Sequence, residues 1–326
     1  MDRAKLRGLA TLVVPLLVAV VAVGPPAYAA DPPGLSIRTK VVDGATATPV
    51  RDICVFAVPV LTFRLPDTCP QRSDVAGQVT VTVPEPGSYN LFVLPDSGSR
   101  YGAQWVGPAG GTGAQQGARR ITLAAGEAKS VPMIRLDRRA VISGRVGPAA
   151  GEGTVGIVGP DPYGRVDPRY APIAADGTFR IDWLGPYGWP LLFRTDHRPY
   201  QWSGNVGNRL LADLVPATVG EPVPGYHHLD QGALVTVSVP EPPPVGGRLV
   251  VRNAVTQDPI GVADRVSPWA FAPVMEILGG QQVKIQCLCG DTVRWHGGTD
   301  FASATPVVIR THQPTLVVLA DPPAVS

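Results

Sequence analysis

The chain has 326 residues, of which 37 are Gly and 36 Pro, with 17% charged and 6% aromatic residues. Past the first 29 residues, no stretch free of Gly and Pro exceeds 11 residues, the longest being 133–143 and 248–258. An average helix needs about 11–12 residues, which excludes a helical bundle, a helix-rich α/β enzyme and a barrel of alternating strands and helices. The formal net charge of +2 lacks the basic surplus of a nucleic-acid binder.

Residues 1–29 read as a secretory signal peptide. Arg3, Lys5 and Arg7 form a basic start, 9–23 an apolar core, and Ala27, Tyr28 and Ala29 a small-residue cleavage site. The apolar run is shorter than the ~20 residues that span a bilayer. Cleavage after Ala29 is expected to release an exported, extracellular chain with no nucleic-acid partner and no membrane contact.

Strand signals follow. Val79, Val81 and Val83 alternate with Gln78, Thr80 and Thr82. After the turn pair Asp176-Gly177, the apolar Phe179, Ile181 and Trp183 alternate with Thr178, Arg180 and Asp182. Val235, Val237 and Val239 continue the pattern. Such alternation marks half-buried antiparallel strands, and Gly/Pro turns between short strands point to sandwiches.

The chain also repeats itself. Trp105, Trp202 and Trp295 each open Trp-x-Gly, at spacings of 97 and 93 residues. A second anchor, Asp43-x-x-Thr46-x-x-Pro49, matches Asn253-x-x-Thr256-x-x-Pro259 and aligns the first unit with the third. The period is too long for a solenoid and suits whole domains. The expected organisation is a signal peptide at 1–29, β-sandwiches at 30–137 and 138–239, a Pro-rich linker at 240–245 forming an extended spacer, and a β-sandwich at 246–323.

Four cysteines in an exported chain favour disulfides over metal ligands or free thiols. Cys54 and Cys69 lie in one segment and are expected to pair. Cys287 and Cys289 share a strand face and form either a local bond or two thiols.

The motifs of common chemistry are missing. The sequence has no Gly-x-Ser-x-Gly, no His-Glu-x-x-His, no phosphate loop and no EF-hand spacing. His227, His228 and Asp230 offer metal-ligand types, but adjacent strand residues face opposite ways, so they read as a solvated loop. Cys287, Cys289 and His296 lack a fourth ligand at a familiar spacing. A Lys–Asn cross-link from Lys40 has only the mid-domain Asn90 in its unit. No catalytic, metal or cofactor residues are expected. Trp105, Trp202 and Trp295 recur and read as core, as does Trp189, which stands where the first unit has Tyr89. Tyr187, Tyr200 and Trp269 do not recur, lie near turns, and are the candidates for carbohydrate contact.

Three segments carry a resemblance. Ile142-Ser143-Gly144-Arg145-Val146, then Ala175-Asp176-Gly177-Thr178-Phe179-Arg180-Ile181, then Leu184-Gly185-Pro186 resemble a carboxypeptidase regulatory-like domain. This is the prealbumin-like or carbohydrate-binding-like sandwich named after the non-catalytic tail of some zinc carboxypeptidases. The stretches 101–145 (with Tyr-x-x-x-Trp) and 294–310 (with Trp-His-Gly-Gly) are similar to tandem versions in secreted actinobacterial proteins. The resemblance implies an all-β chain of three tandem Ig-like/prealbumin-like antiparallel sandwiches. The placement of Cys54 and Cys69 is similar in those tandem domains. It also implies a non-catalytic extracellular structural, adhesive or binding module whose partner is a polysaccharide or a protein; an accessory part of a secreted hydrolase is the remotest reading. After Trp202 the second unit departs from the pattern, with a Pro-bearing insertion through Tyr226.

Overall fold

A computed structural model describes residues 34–66, 68–147, 150–159, 169–239, 247–264, 273–290 and 292–319. The expected signal peptide, the Pro-rich segment 240–245 and Trp269 lie outside the described residues. The described chain is all-β, with two single-turn 3-10 helices at Gln115–Gly117 and Arg209–Leu211. Its first run of strands is β1 (Ser36–Asp43), β2 (Cys54–Pro59), β3 (Gln78–Thr82), β4 (Gly87–Leu94), β5 (Gln104–Val106), β6 (Gly111–Thr112), β7 (Ile121–Leu123), β8 (Ala128–Ser130) and β9 (Ile134–Leu136). The second is β10 (Ala140–Val146), β11 (Gly153–Gly156), β12 (Ala171–Ile173), β13 (Thr178–Leu184), β14 (Gly188–Trp189), β15 (Leu192–Thr195), β16 (Arg198–Trp202), β17 (Val215–Pro216) and β18 (Gly225–His227). The third is β19 (Ala233–Ser238), β20 (Arg248–Asn253), β21 (Pro259–Asp264), β22 (Val274–Ile277), β23 (Gln281–Cys289), β24 (Thr292–Trp295), β25 (Val307–Ile309) and β26 (Thr315–Val318).

One topology recurs in each run. The opening strand is central to a small sheet: β1, β10 and β19 pair antiparallel with β3, β13 and β22. On the other side they pair parallel with the closing strands β8 and β9, β18, and β26. The facing sheet holds β2-β4-β5-β6 in the first run, β12-β11-β15-β16 in the second and β21-β20-β23-β24 in the third. Trp105, Trp202 and Trp295 stand on β5, β16 and β24, paired with β4, β15 and β23 respectively, and all are buried. The Trp-x-Gly period is therefore a packing period.

Two expectations about the repeat change. Residues 233–238, expected at the end of the second sandwich, pair with β22 and β26 and open the third sheet pair. Val235, Val237 and Val239 are buried with Leu249, Ile285 and Ile309 in that pair's core. The Pro-rich segment expected to link two domains thus connects β19 to β20 within one sheet pair. The second anchor does encode one turn: Asp43 Oδ1 accepts the N–H groups of Ala45 and Thr46 (2.9 Å each), and Asn253 Oδ1 those of Val255 (2.9 Å) and Thr256 (3.1 Å). Ala47 and Gln257 take the same left-handed conformation, at φ 58° and 61°. Yet the first copy follows β1, the opening strand, and the second follows β20, the counterpart of β2. The same local chemistry closes non-equivalent turns.

The sheet built on β2 and β4 is buried on both faces. Val55, Leu91 and Val93 face β1 and β3, whereas Phe56, Phe92 and Trp105 face away from them. That outer face is covered by Phe63, whose ring lies 5.2 Å from Phe92 and 4.6 Å from Trp105. Its apolar cluster runs without a break into Ile142, Ile181, Leu184 and Trp189 of the second run. The two backbones touch where this happens: Ala103 N–H donates to Trp183 O (2.9 Å), and Gly185 N–H to Ala103 O (2.8 Å). Gly102 is needed here, because a Cβ on it would overlap the Leu184 carbonyl.

The insertion after Trp202 joins all three runs. Asn208 caps the short 3-10 turn through its Oδ1 (2.9 Å from Leu210 N) and presents Arg209, which is 2% exposed. The Arg209 guanidinium donates to Asp258 Oδ2 (3.1 Å), Gln115 Oε1 (2.6 Å) and Leu61 O (3.0 Å), and lies over the Phe63 ring. Asp258 is 3% exposed, and burial pushes its carboxyl above the usual aspartate range while Arg209 pulls it back. Removing one partner of a buried pair strands the other charge. Arg209→Met is expected to destabilise the protein by about 3–5 kcal/mol in urea denaturation. Adding Asp258→Leu should cost far less than the sum of the two single changes; strict additivity would show that the pair is not coupled.

Candidate functional site

Strand β13 begins as the alternation predicts, with Phe179 and Ile181 buried. Its pairing with β10 then slips: Ile181 lies opposite Ile142, but Leu184 lies opposite Ala140. One extra residue is accommodated, so Ile181 and Leu184, three apart, both reach the core. Trp183, expected on the core face, is instead half-buried at the core's edge and lines a cleft of about 610 Å³. Bulges re-aim side chains in this way.

The opposite wall belongs to the first run. The Cys54–Cys69 disulfide, with Cα atoms 5.7 Å apart, ties the loop after β2 back to its own strand. It holds Pro66 and the disulfide itself against the cleft beside Phe56, Leu94 and Pro95. Two arginine–carboxylate pairs flank this apolar lining. Arg72 grips Asp96 through both terminal nitrogens (3.0 Å each) and donates to Asp52 O (2.8 Å). Arg139 pairs with Asp182 (2.8 Å) and also donates to the carbonyls of Asp182 and Ser97, so one side chain spans the two walls. Arg169 completes the lining. The arrangement offers an apolar stacking surface between planar hydrogen-bonding groups, with Arg72 and Arg139 each held in an ion pair.

The three aromatic residues singled out from sequence do not form one platform. Tyr187 sits in the seam: its hydroxyl donates to Asp137 Oδ2 (2.5 Å) and reaches Gln104 Oε1 (3.2 Å), and its ring lies beside Trp189. Burial, reinforced by Asp137, raises its pKa above the usual tyrosine value. Tyr200 is on the outer side of β16, where its ring and that of Tyr170 flank the Arg194 guanidinium at 5.0 and 5.2 Å. Trp269 lies outside the described residues. Nothing in the sequence distinguished Trp183 from its core neighbours, because an added residue in a strand leaves no composition signal.

The remaining candidates are placed as follows. Cys287 and Cys289 both face the core on β23 and are joined to each other. His227 packs against Phe193 (4.9 Å) and Phe179 (5.7 Å), and burial lowers its pKa. His228 is exposed and lies 3.8 Å from Asp230. Lys40 is exposed on β1 opposite Gln78, while Asn90 is buried and donates to Arg119 O (3.0 Å). Among the described residues, no helix is long and apolar enough to cross a membrane.

No family model and no curated protein matches the chain. Among solved structures it is similar to the Bacillus anthracis TIE protein, at 6% identity over 87% of this chain and 49% of that one, with a TM-score of 0.22. It is also similar to a streptococcal ancillary pilin (12% identity, 62% and 64% covered, TM-score 0.23) and to the major pilin subunit of Bacillus cereus (9%, 87% and 98%, 0.23). The chain spans about half the length of the first of these. Likeness at this level assigns no family.

One electrostatic feature beside the seam is open to measurement. The Thr46 N–H, then the Tyr101 hydroxyl (2.8 Å) and the Ala45 N–H, hold the Asp43 carboxyl well below its usual 3.8, at about 2. A carboxylate more acidic in the folded than the unfolded state stabilises the fold above the unfolded value, and that contribution fades as pH falls toward the folded one. Asp43→Asn is therefore expected to flatten the dependence of melting temperature on pH between 3.8 and about 2. An unchanged slope in that window would remove Asp43 from the acid response.

Proposed function

We propose that the chain is an exported, non-catalytic module that works outside the cell as a rigid structural, adhesive or binding element. The observation that carries this reading is the buried Arg209, whose side chain takes partners from the first run (Gln115, Leu61) and the third (Asp258) while standing on the second. A charge this deeply buried has a low-energy position only where all its partners are in place. Together with the apolar cluster shared by the first two runs, it favours a fixed geometry over a flexible string of domains. The leader read from the sequence supports export.

Two measurements test the reading. Spin labels at Val75→Cys and Val308→Cys, both on exposed positions of the outer runs, are expected to give one narrow distance distribution, and Arg209→Met to broaden it. A broad distribution in the parent would overturn the rigid-element reading. A screen against peptides and polysaccharides is expected to show no turnover; turnover that follows the protein through purification would overturn the non-catalytic reading.

A further inference from the structure

We propose that the cleft between β13 and the disulfide-tied loop binds a neutral oligosaccharide, one sugar ring stacking on Trp183 and its hydroxyls meeting the Arg72–Asp96 and Arg139–Asp182 pairs. The inference rests on reading the chain as an extracellular binding module and names the ligand of that module.

Size is the first argument. At about 610 Å³, the cleft falls within the ~300–1,000 Å³ range of small-molecule sites. Its surface is the second. A pyranose ring presents an apolar face of C–H groups and an equatorial fringe of hydroxyls. Trp183, Phe56, Leu94 and the disulfide supply the apolar complement, and an indole face attracts the weakly positive C–H edge of such a ring. Arginine and carboxylate side chains are planar and present several donors or acceptors in fixed directions, which suits adjacent hydroxyls.

Charge gives the third argument. Both rim carboxylates are already held by arginines, Asp96 through two parallel hydrogen bonds. At these two pairs a strongly charged ligand competes with an ion already in place, whereas a hydroxyl bonds to the remaining lone pairs and N–H groups without disturbing either ion. Arg169 also lines the cleft, and the glutamate probe below tests whether an anion is drawn there instead. The fourth argument weighs against an extended peptide adding to the disulfide-tied wall. The edge of β2 that lines this side is already occupied, because Cys54 bridges to Arg72, Val55 N–H donates to Gln71 O (3.1 Å) and Ser73 N–H to Ile53 O (3.0 Å). On the β2 side, among the described residues, this leaves no open strand edge for backbone pairing.

The test is titration of the mature chain with maltoheptaose, cellohexaose and chitohexaose, read by calorimetry and tryptophan fluorescence. A decapeptide of proline and a glutamate oligomer serve as competing probes. We expect saturable binding of at least one neutral sugar, a weakening of about tenfold or more for Trp183→Ala, a smaller loss for Trp183→Phe, and an intermediate loss for Asp96→Asn. Tyr200→Ala, on another face, should bind like the parent. Melting curves identify any variant that fails to fold, and Trp183→Phe then carries the comparison. Binding of none of the three sugars overturns the proposal, as does sugar binding unchanged in folded Trp183→Ala or Trp183→Phe. Binding of the proline or glutamate probe alone, lost with Trp183, also overturns the sugar assignment but leaves the binding-module reading standing. Hydrolysis of a bound sugar would instead overturn the non-catalytic reading.

Discussion

The Arg209 guanidinium is the constraint from which the arrangement of this molecule follows. Burying a cation is unfavourable unless its Coulomb partner and its hydrogen-bond acceptors are all in position. Here the carboxylate comes from Asp258 in the third run, and two acceptors, Gln115 and the Leu61 carbonyl, from the first. A planar fork of fixed donors serves this purpose better than a lysine, whose charge is compact and strongly hydrated. The Leu61 carbonyl and the Phe63 ring beneath the cation lie on the same loop that Cys69 ties to β2. One side of that loop braces Arg209; the other lines the cleft. The geometry of the cleft wall is thus fixed from behind by an ion pair to a distant part of the chain.

Much of the β architecture was legible because it rests on local chemistry. The alternating valines of β3 and β19, the turn residues Asp43 and Asn253, and the recurring Trp105, Trp202 and Trp295 each report a periodic or turn-forming constraint. The Cys54–Cys69 bond was legible from its spacing. The boundary near 239 was not. The alternation of Val235, Val237 and Val239 says that one face is buried but not against which sheet, and the prolines that follow look the same inside a sheet pair as between two. Arg209 was invisible for a different reason: it lies in the insertion where the repeat pattern fails, so no internal copy offered a comparison.

The candidate site divides along the same line. The disulfide wall could be read from the cysteines, whereas Trp183 was assigned to the core on an alternation that the slipped pairing of β10 and β13 interrupts. Tyr187 drew attention for not recurring, and the structure supplies the reason. It has no counterpart because it serves a seam that only the first two runs share, bonding Asp137 across it. A residue that breaks a repeat is as readily explained by a unique contact between units as by a ligand.

The parallel pairing of opening and closing strands bears on how the chain is made. Ser36 lies beside Ala128, Gly144 beside Gly225 and Val235 beside Thr315, so each small sheet is completed only when chain roughly eighty to ninety residues downstream arrives, the kind of distant contact that slows folding. A polypeptide synthesised from its N-terminus holds β1 incomplete until β8 has emerged. Arg209 in turn has no carboxylate until Asp258 follows. The first run can thus close early, while the insertion of the second must wait for the third, which makes the last assembly step a docking of the whole and not the folding of a final bead.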